Sequence, residues 1–233
     1  MKKAHEMHPL HRSFSSKPKN NLMQKLRTCI QFCLPAVALL VAVSCTPKKT
    51  EPPLPIYGER ELQGTDTVYH TIGEFSFVDQ DSSVITNSTF KNKIYVADFF
   101  FTSCRTICPI MKTQMMRVYD SIQNDNEVLL LSHTIDPEYD TVGLLRDFAE
   151  RLGVKSSKWH FVTGKPKEEV YKLAQLSYFS TAMEDKTTTD GFIHSGAFLL
   201  IDKHGRIRGK YDGTKEEDVN RLLADIRRLK KEG

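Results

Sequence analysis

The chain has 233 residues, 39% of them hydrophobic and 27% charged, with 33 Lys and Arg against 29 Asp and Glu for a formal net charge of +4. So mild a charge, with no arginine-rich run interleaved with aromatics, argues against a nucleic-acid partner, and the length suits one α/β domain once an N-terminal targeting segment is set aside. Of five cysteines, three lie at or before Cys45, which excludes a disulfide scaffold and leaves Cys104 and Cys108 as the pair in the folded part.

Residues 29–44 (CIQFCLPAVALLVAVS) form an apolar run behind Lys25 and Arg27, completing the three-part layout of a secretory signal over residues 1–44. A start at Met23 would give that signal an ordinary length. The run contains Pro35 and falls short of the roughly 20 apolar residues that span a bilayer, so a cleaved signal is preferred to an uncleaved anchor. The Ala42-Val43-Ser44-Cys45 sequence resembles a bacterial lipoprotein box. That resemblance implies lipidation of Cys45 and a membrane-tethered, extracytoplasmic protein of the bacterial cell envelope. Pro47, Pro52, Pro53 and Pro55, among many charges and no apolar period, predict a semi-extended flexible tether over 45–68, with the folded domain over 69–233.

Within the folded part, short strands are expected around 75–78 and 83–86. Residues 93–101 (KIYVADFFF) are near-continuously apolar and β-branched over a strand length, the pattern of a strand buried on both faces. Pro109 then sits where a helix start tolerates its missing N–H, and Ile110, Met111, Met115, Val118, Tyr119 and Ile122 carry an apolar helical face. A second buried strand over 127–135 is followed by a helix over 141–152 that Gly153 ends, a strand over 159–163 and a helix over 167–177. Residues 197–202 and 206–211 read as a β-hairpin about the turn at 203–205. Val219, Leu222, Leu223, Ile226 and Leu229 recur at helical spacing in a final helix over 215–229. Strands alternating with helices and closing in an antiparallel hairpin define an α/β fold with a mixed sheet flanked by helices.

Cys104 and Cys108 close the buried strand and open the helix, in DFFFTSCRTICPIM (98–111). Four residues apart, their side chains share one helix face, and the unpaired N–H groups and partial positive charge of the helix start favour the thiolates that metals and redox chemistry require. A disulfide staple or two reduced core cysteines are the bland alternatives, set aside because a strand-to-helix turn presents sulfur rather than hiding it.

That block, with TIDPEYDT (134–141), WHFVTG (159–164) and FIHSGAFLLIDKHGRIRGKYDG (192–213), resembles in order and approximate spacing the SCO/SenC family. The resemblance covers roughly residue 72 to the C-terminus. It implies a thioredoxin-like fold and a copper-binding protein that delivers copper to the dinuclear site of cytochrome c oxidase subunit II, with Cys104, Cys108 and His194 as ligands. Two thiolates and an imidazole suit Cu(I) and can also hold Cu(II). Another copper carrier or a thiol reductant is an expected further partner. The same dithiol would serve a thiol-disulfide oxidoreductase acting on partner cysteines, or a redox or copper sensor.

Other histidines compete with His194, and His133 and His160, on or beside strands, compete most directly; His70 and His204 are poorly placed, and His5, His8 and His11 precede the signal. In thioredoxin-like oxidoreductases a cis-proline faces the active cysteines. Its place falls near Gly196, and residues 192–202 contain no proline, which favours metal over general disulfide exchange. Asp140 is expected to cap the helix over 141–152, and Asp136 to stand behind the ligands. Met111, Met115 and Met116 are read as packing residues rather than thioether ligands, and Trp159 and Tyr178 as core.

Overall fold

The computed structural model describes residues 51–188 and 191–232. The signal over 1–44, Cys45 and the first part of the tether lie outside the described residues, as do Cys29, Cys33, His5, His8 and His11.

In chain order the strands are β1 (Arg60–Gln63), β2 (Asp66–Tyr69), β3 (Ser76–Asp79), β4 (Val84–Thr86), β5 (Ile94–Phe100), β6 (Val128–Thr134), β7 (Trp159–Thr163), β8 (Ala182–Glu184), β9 (Phe192–His194), β10 (Ala197–Ile201) and β11 (Ile207–Asp212). The helices are α1 (Cys108–Ile122), α2 (Val142–Leu152), α3 (Lys167–Ser177) and α4 (Glu216–Glu232). A seven-stranded mixed sheet runs in the order β11-β10-β5-β6-β7-β3-β4. Its centre, β5, β6 and β7, is parallel, whereas β10, β11, β3 and β4 pair antiparallel at the two sides.

Every residue of β5, β6 and β7 is buried, as the unbroken apolar runs require of strands covered on both faces. Side chains alternate across the pleat. Ile94, Val96 and Phe100 face α1, α2 and α4 through Met111, Met115, Leu145, Leu222 and Ile226, while Tyr95, Ala97 and Phe99 face Val170 and Ala174 of α3. Gly153 ends α2 in the left-handed region at φ 69°, where a side chain would be strained.

The expected flexible tether is corrected over its second half. From Pro52 onward the chain belongs to the folded unit. Leu54 is buried in the α1-face core; its N–H donates to Glu232 (2.7 Å), and Arg208 donates to the carbonyls of Leu54 (2.7 Å) and Pro55 (3.0 Å). The buried Arg208 also pairs with Asp202 (3.2 Å) and Glu232 (2.5 Å). Tyr57 N–H then bonds to the carbonyl of Ile207, at the start of β11. Prolines that suit a free tether also suit a strap lying along a sheet edge, and composition does not separate the two. β1 and β2 are likewise absent from the sequence reading, since they are short and almost wholly exposed and carry no apolar alternation.

Candidate metal centre

β5 delivers the cysteine loop at its C-terminal end, and Cys108 opens α1 with Pro109 in the first turn, where a missing N–H costs no hydrogen bond. β10 pairs antiparallel with β5, Leu199 opposite Ala97, so the residues leading into β10 return to the end of β5 that carries the cysteines. Just before it, β9 pairs with β8 in a separate hairpin that sets Ala182 opposite His194. Gln175 of α3 donates to the carbonyl of Ala182 (3.2 Å), and the Ser180 and Ser195 hydroxyls lie 2.6 Å apart, fastening the hairpin beside the cysteine loop.

The result brings together three residues separated by up to 90 positions. His194 Nε2 lies 3.3 Å from Cys108 Sγ and 3.9 Å from Cys104 Sγ, and the three ligand atoms all fall within 4.8 Å of one another. Ligands sharing one ion at bonds of about 2.3 Å to sulfur and 2.0–2.1 Å to nitrogen stand roughly 3.5–3.8 Å apart, so little movement separates this arrangement from a coordination shell. Neither cysteine is in a disulfide; Cys104 and His194 are buried, and Cys108 is partly exposed at the rim. The Phe101 ring meets His194 edge-on at 5.7 Å.

The two thiols are strongly coupled. The Cys104 thiol is held far below its ordinary value, chiefly by the Cys108 thiol as a hydrogen-bond partner and further by His194 and Thr106. Cys108 is pushed up by the same hydrogen bond and by burial. The hydrogen bond between them thus favours the thiolate at Cys104 and the thiol at Cys108.

The competing histidines are placed elsewhere. His133 is fully buried among Phe75, Phe77, Phe99 and Tyr178, and burial lowers its pKa to about 3. His160 Nδ1 pairs with Asp79 (3.0 Å), His70 Nε2 lies 2.8 Å from the Ser177 carbonyl, and His204 is exposed in the β10–β11 turn. Met111 and Met115 are buried in the core, Met116 packs against it, and Trp159 and Tyr178 are core residues. At Gly196 an added Cβ would lie 3.3 Å from Thr214 Cγ2 and 3.8 Å from Ile107 Cδ1, so the chain passes close to the loop between the two cysteines.

Neither aspartate caps α2. Thr141, not Asp140, caps α2, its hydroxyl accepting from Leu144 N–H. Asp140 is fully buried and accepts from Thr102 N–H (3.1 Å) and from the hydroxyls of Thr102 and Thr134. Asp136 offers the site no ligand atom; its backbone N–H donates to the Thr134 hydroxyl (3.1 Å). A carboxylate one residue before a helix reads as a cap, and only the fold shows that a threonine next to it has taken that role.

Asp98 is a site residue that the sequence reading passed over. It lies on the α1 face of β5, buried, and lines one cavity together with Cys104, Cys108 and Ser132. Its carboxylate accepts from the Ser132 hydroxyl, which in turn accepts from the Trp159 indole N–H (2.8 Å). Desolvation raises its pKa from 3.8 to about 6, against smaller lowering effects of Ser132 and His194. A single charge inside an otherwise apolar strand was the available signal.

A thioredoxin-like sheet that presents a dithiol and an imidazole to one point in space defines a small metal-binding or redox module. Residues 63–231 match the SCO1/SenC family model, and the chain belongs to that family. Among solved structures it is similar to a SCO1/SenC family lipoprotein from Bacillus anthracis, with 29% identity, 69% of this chain and 95% of that one covered, and a TM-score of 0.63. BsSco, described with a disulfide switch and as a member of the Sco family of cytochrome c oxidase assembly proteins, is 27% identical, with 68% and 92% covered and a TM-score of 0.61. The copper-bound ScoI of Arabidopsis thaliana is 25% identical, with 67% and 98% covered and a TM-score of 0.55.

Proposed function

We propose that this chain binds copper through Cys104, Cys108 and His194 and delivers it to the dinuclear copper site of cytochrome c oxidase subunit II, working from the extracytoplasmic membrane face to which a lipid on Cys45 tethers it. The observation that carries the copper reading is the convergence of two sulfurs and one imidazole nitrogen within 4.8 Å. Thiolates favour Cu(I), and the imidazole extends the set toward Cu(II). The chain's own part is to hold Cys104 as a thiolate, to release the Cys108 proton as the ion enters, and to keep His194 turned toward both sulfurs. The partly exposed Cys108 supplies the side from which an acceptor's ligands can reach the ion. Delivery to an oxidase is supported by the description of BsSco, and the lipid tether by the lipoprotein-box sequence and the description of the Bacillus anthracis relative.

A second reading is favoured by one observation, two cysteines outside any disulfide that face the same imidazole, with Cys104 shifted toward its thiolate by the Cys108 hydrogen bond. A thiol-disulfide oxidoreductase would attack a partner disulfide with one thiolate, expelling the first partner sulfur as a thiolate while the mixed disulfide forms; the other cysteine would then close the Cys104–Cys108 bond and release the second, so that the two electrons of this dithiol pass to the partner, which leaves as a dithiol. Metal loading and this oxidation exclude each other, because the disulfide has no thiolate ligands.

Copper titration of the reduced fragment from Lys48 onward, beside His194→Ala, separates the readings. One copper per chain, with sulfur-to-Cu(II) charge-transfer absorption that His194→Ala removes while disulfide reduction persists, is the expected result. A chain that retains no copper yet cycles against a disulfide substrate would replace the delivery role with the oxidoreductase.

A further inference from the structure

The loop that carries Cys104 leaves β5 after Phe100, passes through Thr102 and reaches α1 at Cys108. Within it, the Cys104 N–H donates to the Phe101 carbonyl at 3.3 Å, a long bond for a turn that must place a ligand. The Asp140 carboxylate holds Thr102 from outside, through the backbone N–H at 3.1 Å and through the hydroxyl. The same carboxylate accepts from Thr134, the last residue of β6. One fully buried carboxylate therefore joins the start of the cysteine loop, two residues past β5, to the end of β6 by three hydrogen bonds. Burying a carboxylate is costly unless its lone pairs are met, and here they are met by the cysteine loop and the end of β6 rather than by α2, whose cap is Thr141.

We propose that Asp140 is the positioning residue of the metal centre, pinning Thr102 so that Cys104 stays at the distance from His194 that a three-ligand copper site needs. The proposal rests on the copper reading above. Its consequence differs between oxidation states. Cu(I) is soft and is satisfied by two thiolates, Cys108 at the start of α1 and Cys104 four residues before it in the preceding loop. Cu(II) depends on the imidazole as well, and the imidazole arrives on a different hairpin. Loosening Thr102 lets Cys104 drift relative to His194 and weakens the Cu(II) site first. Groups standing behind metal ligands typically change affinity by about 10–100-fold when removed.

Thr102→Val deletes one donor and keeps the N–H bond, Asp140→Asn keeps one oxygen acceptor, and Asp140→Leu removes all three bonds. The test is the ratio of Cu(II) to Cu(I) affinity for each, well below its Tm, with the Cu(II) absorption spectrum and the rate of Cys104 alkylation by iodoacetamide in the metal-free, reduced chain. Expected are a Cu(II) affinity lowered about 10-fold or more in Asp140→Leu and less in Asp140→Asn and Thr102→Val, a Cu(I) affinity within about 3-fold of the parent, a shifted charge-transfer band, and faster Cys104 alkylation. If Asp140→Leu does not fold, Thr102→Val and Asp140→Asn carry the comparison. Variants that lose Tm while keeping the affinity ratio, the spectrum and the alkylation rate would overturn the proposal and leave Asp140 a fold-stabilising residue. A parent chain that binds no copper would sink the copper reading, and the alkylation rates would then decide alone whether Asp140 holds the Cys104 loop.

Discussion

Asp98→Asn should stabilise the metal-free, reduced protein at neutral pH even though it removes a charge from beside the site. Burial raises the native carboxyl pKa from 3.8 to about 6, so the native state holds its proton more tightly than the unfolded chain does. For a raised carboxyl the sign is fixed: the contribution is fully favourable below about pH 4, is lost as pH rises through 6, and stays lost above. The gap between 3.8 and about 6, at 1.36 kcal/mol per tenfold change in proton affinity, comes to about 3 kcal/mol. The substituted amide would be neutral throughout, and its carbonyl can still accept from the Ser132 hydroxyl that now bonds to Asp98. Urea unfolding of both forms between pH 4 and 8 gives a difference curve in which other groups cancel. That curve should start near zero and climb by about 2–3 kcal/mol in favour of Asp98→Asn before levelling off above pH 6. Parallel profiles, with no growth of the difference between pH 4 and 7, would refute the reasoning and show that water or rearrangement solvates this carboxylate.

His133 acts in the opposite direction. Burial lowers its pKa from 6.5 to about 3, so stability present above pH 6.5 is lost as pH falls through 3, by at most roughly 5 kcal/mol. His133→Phe, in its cage of Phe75, Phe77, Phe99 and Tyr178, should flatten the acid limb of the unfolding profile; an unchanged limb would place the acid sensitivity elsewhere. Leu54→Ala should cost about 2–4 kcal/mol in urea unfolding, because the side chain is core rather than tether, and a change within about 0.5 kcal/mol would restore the flexible reading of that segment. Arg208→Met should cost roughly 3–5 kcal/mol by leaving Asp202 short of its buried partner and by freeing the Leu54 and Pro55 carbonyls. Proteolysis should then cut between residues 52 and 58 faster than in the parent, and equal cutting rates would show that the strap is held without this arginine.

Most of the fold was legible because its elements announce themselves locally. The runs that became β5, β6 and β7 are apolar on both faces, and α1 and α4 repeat apolar residues at helical spacing, so burial and backbone period agree within each segment. Cys104 and Cys108 were legible as a pair, but the helix face that their four-residue spacing suggested is not what joins them: α1 begins only at Cys108, and Cys104 reaches it from the preceding loop. By itself the sequence therefore determined the mixed α/β architecture and the dithiol, and through ordered blocks of residues it pointed to His194.

What only the tertiary structure decided depends on partners far away in the chain. That His194 rather than His133 or His160 faces the sulfurs follows from how the β8–β9 hairpin is fastened to α3 and from the return of β10 alongside β5. That Asp140 braces Thr102 while Thr141 caps the helix depends on two loops meeting, and that Asp98 lies beneath the cysteines depends on α1 folding back over β5. Residues 52–57 dock because Arg208 and Glu232, more than 150 positions away, meet their carbonyls and N–H groups. The physical reason is common to all four. Local sequence sets backbone conformation and which side chains are apolar, but a polar side chain chooses among several possible partners only when folding brings one of them within hydrogen-bond distance.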